Sequence, residues 1–227
     1  MTTSPASSAS QLRERIGANF EELRRRIAAS GRDVQSVRVV AVTKTVSREA
    51  VRAAFEVGLC DFGENYVDEL CDKRDAAPGG VWHFLGALQS NKIARATRCA
   101  EVISGVSRRR ELDKLASLGS TSMLDVQVDF KNRAERNGAA PAMVPELVSR
   151  ARELNLKVRG LMVVAPLEAD LARRAFRRTV ELADELGLAE RSMGMSDDLE
   201  MACELGTTEV RVGRALFGPR ADGSALA

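Results

Sequence analysis

The sequence predicts a single-domain α/β protein folded as a (β/α)8 barrel. Apolar, strand-like runs recur eight times along the chain, and helical segments separate most of them. Chemically active residues follow several different strands, as they do in barrels, whereas an open doubly wound sheet concentrates its site at one switch point. The open sheet is the alternative, because a typical barrel has about 250 residues and this chain has 227.

The expected elements follow one another in a regular order. Ser10 is the expected N-cap of a first helix that ends near Gly31. Strand-like runs cover residues 37–44, 60–64, 81–86, 101–106, 122–129, 157–165, 191–196 and 209–213. Helical patterns cover residues 48–57, 64–74, 89–98, 108–118, 145–154 and 171–186. We expect a long loop at residues 131–141, a barrel domain over residues 10–220, a disordered N-terminal tail at residues 1–9 and a C-terminal tail at residues 221–227.

Composition argues against several classes of function. The chain has 34 basic and 32 acidic residues and only 4% aromatic residues, so a nucleic-acid surface is not expected. No run resembles a membrane span, and the first residues lack the pattern of a signal peptide. Four widely spaced cysteines and one histidine predict reduced thiols in a cytoplasmic protein without a metal site. We also expect a monomer.

The first strand ends in an unusual residue for a buried strand. Residues 39–42 are apolar enough to be buried on both faces of a parallel sheet, yet the strand ends in Thr-Lys-Thr around Lys44. An amine that loses hydration at the carboxyl edge of a sheet can act as a nucleophile toward an aldehyde. The alternative is a surface lysine just beyond the strand.

The last two strands are followed by candidate phosphate-binding turns. Residues from Met193 to Ser196 can offer a hydroxyl group and backbone donors, and Gly213 permits a close backbone approach. In barrels, the loops after strands seven and eight commonly bind phosphate. The alternative is a pair of ordinary strand-to-helix turns with a serine N-cap.

Two further residues are candidates for ligand contact. Strand alternation places Arg211 in the barrel mouth, where its guanidinium contacts either Glu209 or a heterocyclic nitrogen of a ligand. His83 is either a hydrogen-bonded core histidine or a ligand contact. An amine nucleophile, a phosphate cradle and a cation for a ring nitrogen together match the requirements of pyridoxal 5'-phosphate.

These segments resemble a known family. Residues 41–44, 61–66, 82–92, 192–198 and 210–213, in this order, look like the motifs of the pyridoxal phosphate homeostasis proteins. The resemblance extends over about residues 10–220. It implies a barrel of the alanine-racemase type without that enzyme's second domain.

The resemblance also implies roles for individual residues. Lys44 would carry pyridoxal phosphate as an internal aldimine, Asn65 would lie beside the cofactor, and Arg211 would face the pyridine nitrogen. Ser196, Gly213 and the residue after Gly213 would hold the phosphate. We include His83 and Met193 among the expected cofactor contacts.

The sequence departs from the family pattern at two places. The family usually has Thr or Ser after the glycine of strand eight, whereas this chain has Arg214, and we expect its guanidinium to take over the contact with the phosphate. Residues 129–133 also differ from the family's usual turn, so no role is carried over to them.

The resemblance implies a function in vitamin B6 and amino-acid homeostasis with no established reaction, and possible partners are apo-enzymes that use pyridoxal phosphate. The alternative is an amino-acid racemase on the same barrel, which needs a second general base opposite the lysine. The chain has a single tyrosine as a candidate for that base, Tyr66, which directly follows Asn65. A third possibility is another phosphate ligand, with Lys44 merely neutralising its charge.

Overall fold

The computed structural model describes residues 5–131 and 137–219, with side chains described from residue 9 onward. Eight parallel strands close into a barrel in sequential order, each paired with the next and the last paired with the first. This arrangement confirms the predicted fold class and excludes the open sheet.

The strands lie within or close to the predicted runs. They are β1 (Arg38–Val42), β2 (Asp61–Glu64), β3 (Val81–Phe84), β4 (Val102–Val106), β5 (Met123–Val128), β6 (Val158–Val163), β7 (Glu190–Ser192) and β8 (Glu209–Val212). The strands are short, as a barrel with short loops requires, and most predicted runs extend one to three residues into the following loop.

Nine helices accompany the strands in the described part of the chain. They are α1 (Pro5–Ala29), α2 (Arg48–Glu56), α3 (Val67–Lys73), α4 (Ile93–Cys99), α5 (Arg109–Ser117), α6 (Val144–Glu153), α7 (Ala169–Glu185), α8 (Leu199–Glu204) and α9 (Arg214–Phe217). None of the helices in the described ranges is both long and apolar enough to cross a membrane.

The first helix begins earlier than predicted. It starts at Pro5, so Ser10 lies inside the helix and is not its N-cap. A proline is compatible with the first helical turn, where its missing N–H has no intrahelical partner. The expected disordered tail therefore does not include residues 5–9, and residues 1–4 lie outside the described residues. Residues 220–227, with the expected C-terminal tail, also lie outside them.

Apolar residues pack between the sheet and the helices. Phe62 of β2 and Trp82 of β3 are fully buried side by side on the outer face of the barrel, with ring centroids 5.2 Å apart. The outer face of β1 adds the buried Ala41 to this core. This apolar layer is what the strand and helix periodicities predicted.

The barrel interior contains an ionic layer rather than the aliphatic residues that usually fill it. Arg159 donates to Asp125 at 2.8 Å and to Glu209 at 2.9 Å, and both carboxylates are fully buried. Arg38 also donates to Glu209, at 3.2 Å. We call Arg38, Asp125, Arg159 and Glu209 the interior charge layer.

The prediction of four reduced thiols is wrong. Cys71 of α3 and Cys99 of α4 form a disulfide with their Cα atoms 5.3 Å apart, while Cys60 and Cys203 are free. The two bonded cysteines are 28 residues apart, and they meet because α3 and α4 cover neighbouring strands. The argument from unpaired cysteines to a cytoplasmic location therefore loses its basis, and that location stays a prediction.

The long loop expected at residues 131–141 is described only in part, because residues 132–136 lie outside the described ranges. Ala139 pairs with Val128 at the end of β5, and Pro141–Met143 forms a 3-10 turn before α6. The segment thus returns to the barrel before the next helix begins.

Candidate functional site

Four neighbouring strands bring most of the predicted site residues to one edge of the barrel. The order of these strands around the barrel is β7, β8, β1 and β2. The register pairs Val40 with Arg211 and Val42 with Gly63, so the carboxyl ends of β8, β1 and β2 lie side by side. The turns that contain Lys44, Asn65, Ser196 and Gly213 therefore meet at this edge.

Lys44 lies in a turn that is fixed on both sides. The preceding residue, Thr43, is fully buried, and its hydroxyl donates to Glu64 at 2.7 Å. The following residue, Thr45, has a φ of 61°, a left-handed conformation that is uncommon for a residue with a β-branched side chain. The backbone N–H of Thr45 donates to Glu69 at 3.0 Å. Lys44 itself is half-buried.

A second lysine stands behind this turn. The ammonium group of Lys73 donates to the carbonyl oxygen of Thr43 at 2.7 Å, to Glu64 at 2.8 Å and to Glu69 at 2.6 Å. Burial raises the pKa of Glu64, and the hydrogen bond and charge of Lys73 oppose that rise. One carboxylate oxygen of Glu64 is buried without a hydrogen-bond partner among the described residues.

Arg211 lies inside the barrel at the same edge, as its place in β8 predicted. Its guanidinium donates to the carbonyl oxygen and the hydroxyl of Ser192 at 2.7 and 2.8 Å and to the carbonyl oxygen of Val163 at 2.7 Å. Burial lowers its pKa from the ordinary arginine value. The sequence suggested Glu209 as the acceptor of this guanidinium, but the two side chains are linked through Ser192. The Ser192 hydroxyl accepts from Arg211 and donates to Glu209 at 2.7 Å.

The turn after β7 is shaped by a glycine. Gly194 has a φ of 98°, and a Cβ atom there would lie 2.5 Å from the Cβ of Ala202. Ser196 is half-buried, and its carbonyl oxygen accepts a hydrogen bond from Arg26 of α1 at 2.9 Å. Asp198 accepts from the backbone N–H of Met195 at 2.6 Å, and burial raises the pKa of its carboxyl group.

The side chain of Met193 does not lie in the barrel mouth. It is fully buried in an apolar cluster with Val163, Phe176 and Ala202, between the sheet and helices α7 and α8. Strand alternation explains this position, because Ser192 points inward and its neighbour must point outward. The backbone N–H of Met193 donates to the carbonyl oxygen of Glu209 at 3.0 Å, so neither its side chain nor its N–H is left for a ligand.

The turn after β8 has a backbone that approaches its neighbour closely. A Cβ atom at Gly213 would lie 3.3 Å from the carbonyl oxygen of Val42, the last residue of β1, which stands two residues before Lys44. The guanidinium of Arg214 points outward and donates to Asp197 at 2.5 Å, with 64% of the side chain exposed. The expected contact between this guanidinium and a phosphate therefore finds no support in the geometry.

His83 belongs to the barrel interior below the edge. It is fully buried, its Nε2 lies 3.0 Å from Asp61 at the start of β2, and its Nδ1 lies 3.9 Å from Glu209. These neighbours belong to the amino-terminal half of the barrel. Of the two alternatives for His83, the geometry therefore favours a hydrogen-bonded core histidine. We do not include His83 in the candidate site.

Sequence reasoning missed the residues that support the Lys44 turn from behind. Glu69 and Lys73 are four residues apart on α3, which is the spacing of an intrahelical ion pair. That spacing was a signal, but such pairs usually lie in solvent, and only the docking of α3 against β1 and β2 shows that Lys73 is buried.

The donors at this edge fit pyridoxal phosphate. Arg211 is buried, yet in the described ranges it donates only to the neutral oxygens of Ser192 and Val163. These three bonds leave two of the five guanidinium N–H donors for an acceptor in the mouth, although the charges of Glu209, Asp198 and Asp125 also act on this cation. Gly213 precedes the single turn of α9, whose first backbone N–H groups have no partner within the helix and can therefore bind a phosphate.

Comparison with known families identifies a match over most of the chain. Residues 13–221 match the model of the alanine racemase N-terminal domain. A pyridoxal phosphate homeostasis protein of Pseudomonas aeruginosa is 38% identical over 222 residues, which cover 93% of this chain and 96% of the relative. A Deinococcus radiodurans protein of the same name is 36% identical, covering 89% of this chain and 99% of the relative.

Solved structures agree with this match. The structure of PipY from Synechococcus elongatus with pyridoxal phosphate bound is 32% identical, with a TM-score of 0.73, and the match covers 86% of this chain and all of PipY. Alanine racemase from Corynebacterium glutamicum has a TM-score of 0.73 at 17% identity, which shows similarity of fold. The match covers 94% of this chain but 63% of the racemase.

Proposed function

The chain belongs to the family of pyridoxal phosphate homeostasis proteins, and we propose that it binds pyridoxal 5'-phosphate at the carboxyl edge of its barrel. One observation in the structure carries this proposal. β1, which ends two residues before Lys44, is hydrogen-bonded to β8, which contains the buried Arg211, so the two residues lie at neighbouring strand ends of the same barrel edge. PipY, a relative of similar fold, has a structure with this cofactor bound.

When bound, pyridoxal phosphate supplies an aldehyde that condenses with a lysine amine, and water is released. We propose that Lys44 supplies the amine. Arg211 donates a hydrogen bond toward the ring nitrogen and is held in place by Ser192 and Val163. Ser196 and the backbone at Gly213 bind the phosphate, and Asn65 lies beside the ring.

The finer part of the proposal concerns what the protein does with the cofactor. We propose that it is a monomeric carrier that supplies apo-enzymes and supports vitamin B6 and amino-acid homeostasis, without turnover of its own. One feature supports this role. A racemase needs a second base opposite the lysine, and the only tyrosine of the chain, Tyr66, is 53% exposed at the start of α3.

Titration of the apo-protein tests the proposal. We expect saturable binding of pyridoxal phosphate with a new visible absorption band. Pyridoxine 5'-phosphate, which has an alcohol in place of the aldehyde, should bind more weakly and produce no band. Lys44→Ala should lower the affinity for pyridoxal phosphate to that for the alcohol analogue. The matched control is Lys114→Ala, an exposed lysine on α5. Absence of saturable binding to the wild-type protein would contradict the proposal.

A further inference from the structure

The backbone around Lys44 is held by three charged side chains that are not part of the proposed cofactor contacts. Glu64 is the last residue of β2, and Glu69 and Lys73 belong to α3. We call these three residues the Lys73 cluster. Its members contact Thr43 and Thr45, the two residues that flank Lys44.

The contacts fall on both sides of Lys44. On one side, Lys73 donates to the carbonyl oxygen of Thr43, and Glu64 accepts the hydroxyl of Thr43. On the other side, Glu69 accepts the backbone N–H of Thr45. Lys73 also joins the two carboxylates, at 2.8 and 2.6 Å, so the cluster acts as one connected unit.

Burial makes the contacts between Glu64, Lys73 and Thr43 strong and hard to replace. Glu64 is fully buried and the side chain of Lys73 is 8% exposed, whereas the bond from Thr45 to Glu69 is exposed and depends on the hold of Lys73 on Glu69. A buried charge that loses its partner has little water to compensate for the loss, so removal of one member is costly. Such a cluster fixes a backbone conformation more firmly than exposed ion pairs do.

The contacts of the Lys73 cluster hold Thr45 in a backbone conformation that is unfavourable for threonine. Thr45 has a φ of 61°, and threonine rarely occupies this left-handed region. Strained residues of this kind persist only where surrounding contacts determine them. The bond from Thr45 to Glu69 is such a contact, and it lies directly after Lys44.

We infer that Lys73, together with Glu64 and Glu69, positions the Lys44 turn and thereby sets how strongly Lys44 retains pyridoxal phosphate. The inference rests on the proposed function, because it needs Lys44 to be the amine that bonds the aldehyde. Lys73 is a positioning residue and makes no contact with the cofactor. A preorganised turn lowers the entropy lost when Lys44 takes its bound geometry, and that gain appears in the affinity.

A merely structural role for the cluster predicts a different result. If the cluster only attached α3 to the barrel, its loss would loosen the whole edge and weaken every ligand there. If it positions Lys44, its loss weakens only the ligand that bonds Lys44. Pyridoxal phosphate and pyridoxine phosphate share the ring and the phosphate and differ in the aldehyde, so the pair separates the two cases.

The experiment compares dissociation constants of both ligands for the wild-type protein, Lys73→Met and Glu69→Gln. We expect each variant to bind pyridoxal phosphate about tenfold more weakly, an effect that corresponds to about 1.4 kcal/mol, and to bind pyridoxine phosphate within about twofold of wild type. The pH dependence of the visible band should also change in these variants, since the surroundings of the Lys44 amine change.

Two matched controls remove one charge or one buried contact elsewhere. Lys114→Met removes an exposed lysine of α5. Glu111→Gln alters a buried carboxylate that accepts the backbone N–H groups of Ser107 and Arg108 after β4, at the same edge but outside the proposed site. Both controls should bind the two ligands as wild type does.

Equal weakening of both ligands by Lys73→Met and Glu69→Gln would overturn the inference in favour of a structural role, and so would unchanged affinities. If Lys73→Met does not fold, Glu69→Gln alone distinguishes the two roles, because the side chain of Glu69 is partly exposed and its substitution is easier to tolerate. Failure of the proposed function has its own signature: the wild-type protein and Lys44→Ala would then bind pyridoxal phosphate equally well.

Discussion

The ammonium nitrogen of Lys73 lies 2.7 Å from the carbonyl oxygen of Thr43, the residue that directly precedes Lys44. Two lysines thus stand close together at one strand end. Lys44 is half-buried in the turn after β1, and Lys73, the last residue of α3, is buried against that turn. The same helix is tied to α4 by the disulfide between Cys71 and Cys99.

Substitution of Arg214 should have little effect on cofactor binding. Its guanidinium is bound to Asp197, and 64% of the side chain is exposed. We therefore expect Arg214→Ala and Arg214→Thr to change the dissociation constant of pyridoxal phosphate less than about twofold, since exposed ion pairs contribute little. Titration of the wild-type, Arg214→Ala and Arg214→Thr apo-proteins with pyridoxal phosphate at two salt concentrations measures these dissociation constants. A tenfold loss in Arg214→Ala would restore the phosphate contact expected from the sequence.

Glu209 should contribute to stability in a way that depends on pH. Burial raises the pKa of this carboxyl group, but the charges of His83 and Arg159 and several hydrogen bonds outweigh burial and lower the pKa from 4.5 to about 2. A lowered pKa stabilises the folded state above the unfolded value and loses that contribution as the pH falls toward about 2. We expect Glu209→Gln to lower the free energy of unfolding at pH 7 by about 3 kcal/mol, the lower end of the range for removing one partner of a buried ion pair, here that of Arg159.

Urea unfolding between pH 7 and pH 4 measures this effect. The difference between the wild-type protein and Glu209→Gln should begin to shrink as the pH falls below about 5. Glu181→Gln, an exposed glutamate of α7 paired with Arg178, should stay within about 0.5 kcal/mol of wild type. A difference that is independent of pH would show that the carboxylate charge of Glu209 is not what stabilises the interior.

The disulfide should stabilise the fold. It closes a loop with a sequence separation of 28, for which the chain-entropy model gives about 3–4 kcal/mol. We expect the double substitution of Cys71 and Cys99 by serine to lower the free energy of unfolding by up to this amount. Cys60→Ser, which removes an exposed free thiol, is the control. Thiol titration of the unreduced, unfolded protein should count two thiols, and a count of four would contradict the disulfide.

The protein should not exchange the Cα proton of free amino acids at a substantial rate. Tyr66 is largely exposed, and under our proposal Arg211 donates to the ring nitrogen, which leaves that nitrogen unprotonated and weakens the ring as an electron sink. Incubation of the loaded protein with L- and D-amino acids in deuterated buffer tests this by mass spectrometry. Rapid exchange that disappears in Lys44→Ala would favour a racemase.

Sequence periodicity predicted the barrel because each strand buries its own apolar run. All eight predicted runs contain or overlap an observed strand, and the positions of Lys44 and Arg211 follow from strand ends and strand alternation. Features that depend on which helices become neighbours could not be found this way. Cys71 and Cys99 lie on separate helices, and Lys73 becomes buried only when α3 docks.

Local ambiguity explains the remaining differences. Serine is a common N-cap and proline is compatible with a first helical turn, so residue type alone does not show that the helix begins at Pro5 and not at Ser10. The prediction that Met193 contacts the cofactor treats it as a loop residue. The alternation of the strand continues one residue past Ser192, and this places the Met193 side chain in the outer apolar cluster. For Arg214, a charge is visible in the sequence, but only the fold shows that its guanidinium donates to Asp197.

The central claim is that Lys44 is the residue that holds pyridoxal phosphate. The most direct measurement is borohydride reduction of the loaded protein, followed by peptide mass mapping. We expect one reduced adduct, on Lys44, and loss of both the adduct and the visible band in Lys44→Ala. An adduct on Lys92, Lys73 or another lysine, with Lys44→Ala still coloured, would contradict the account.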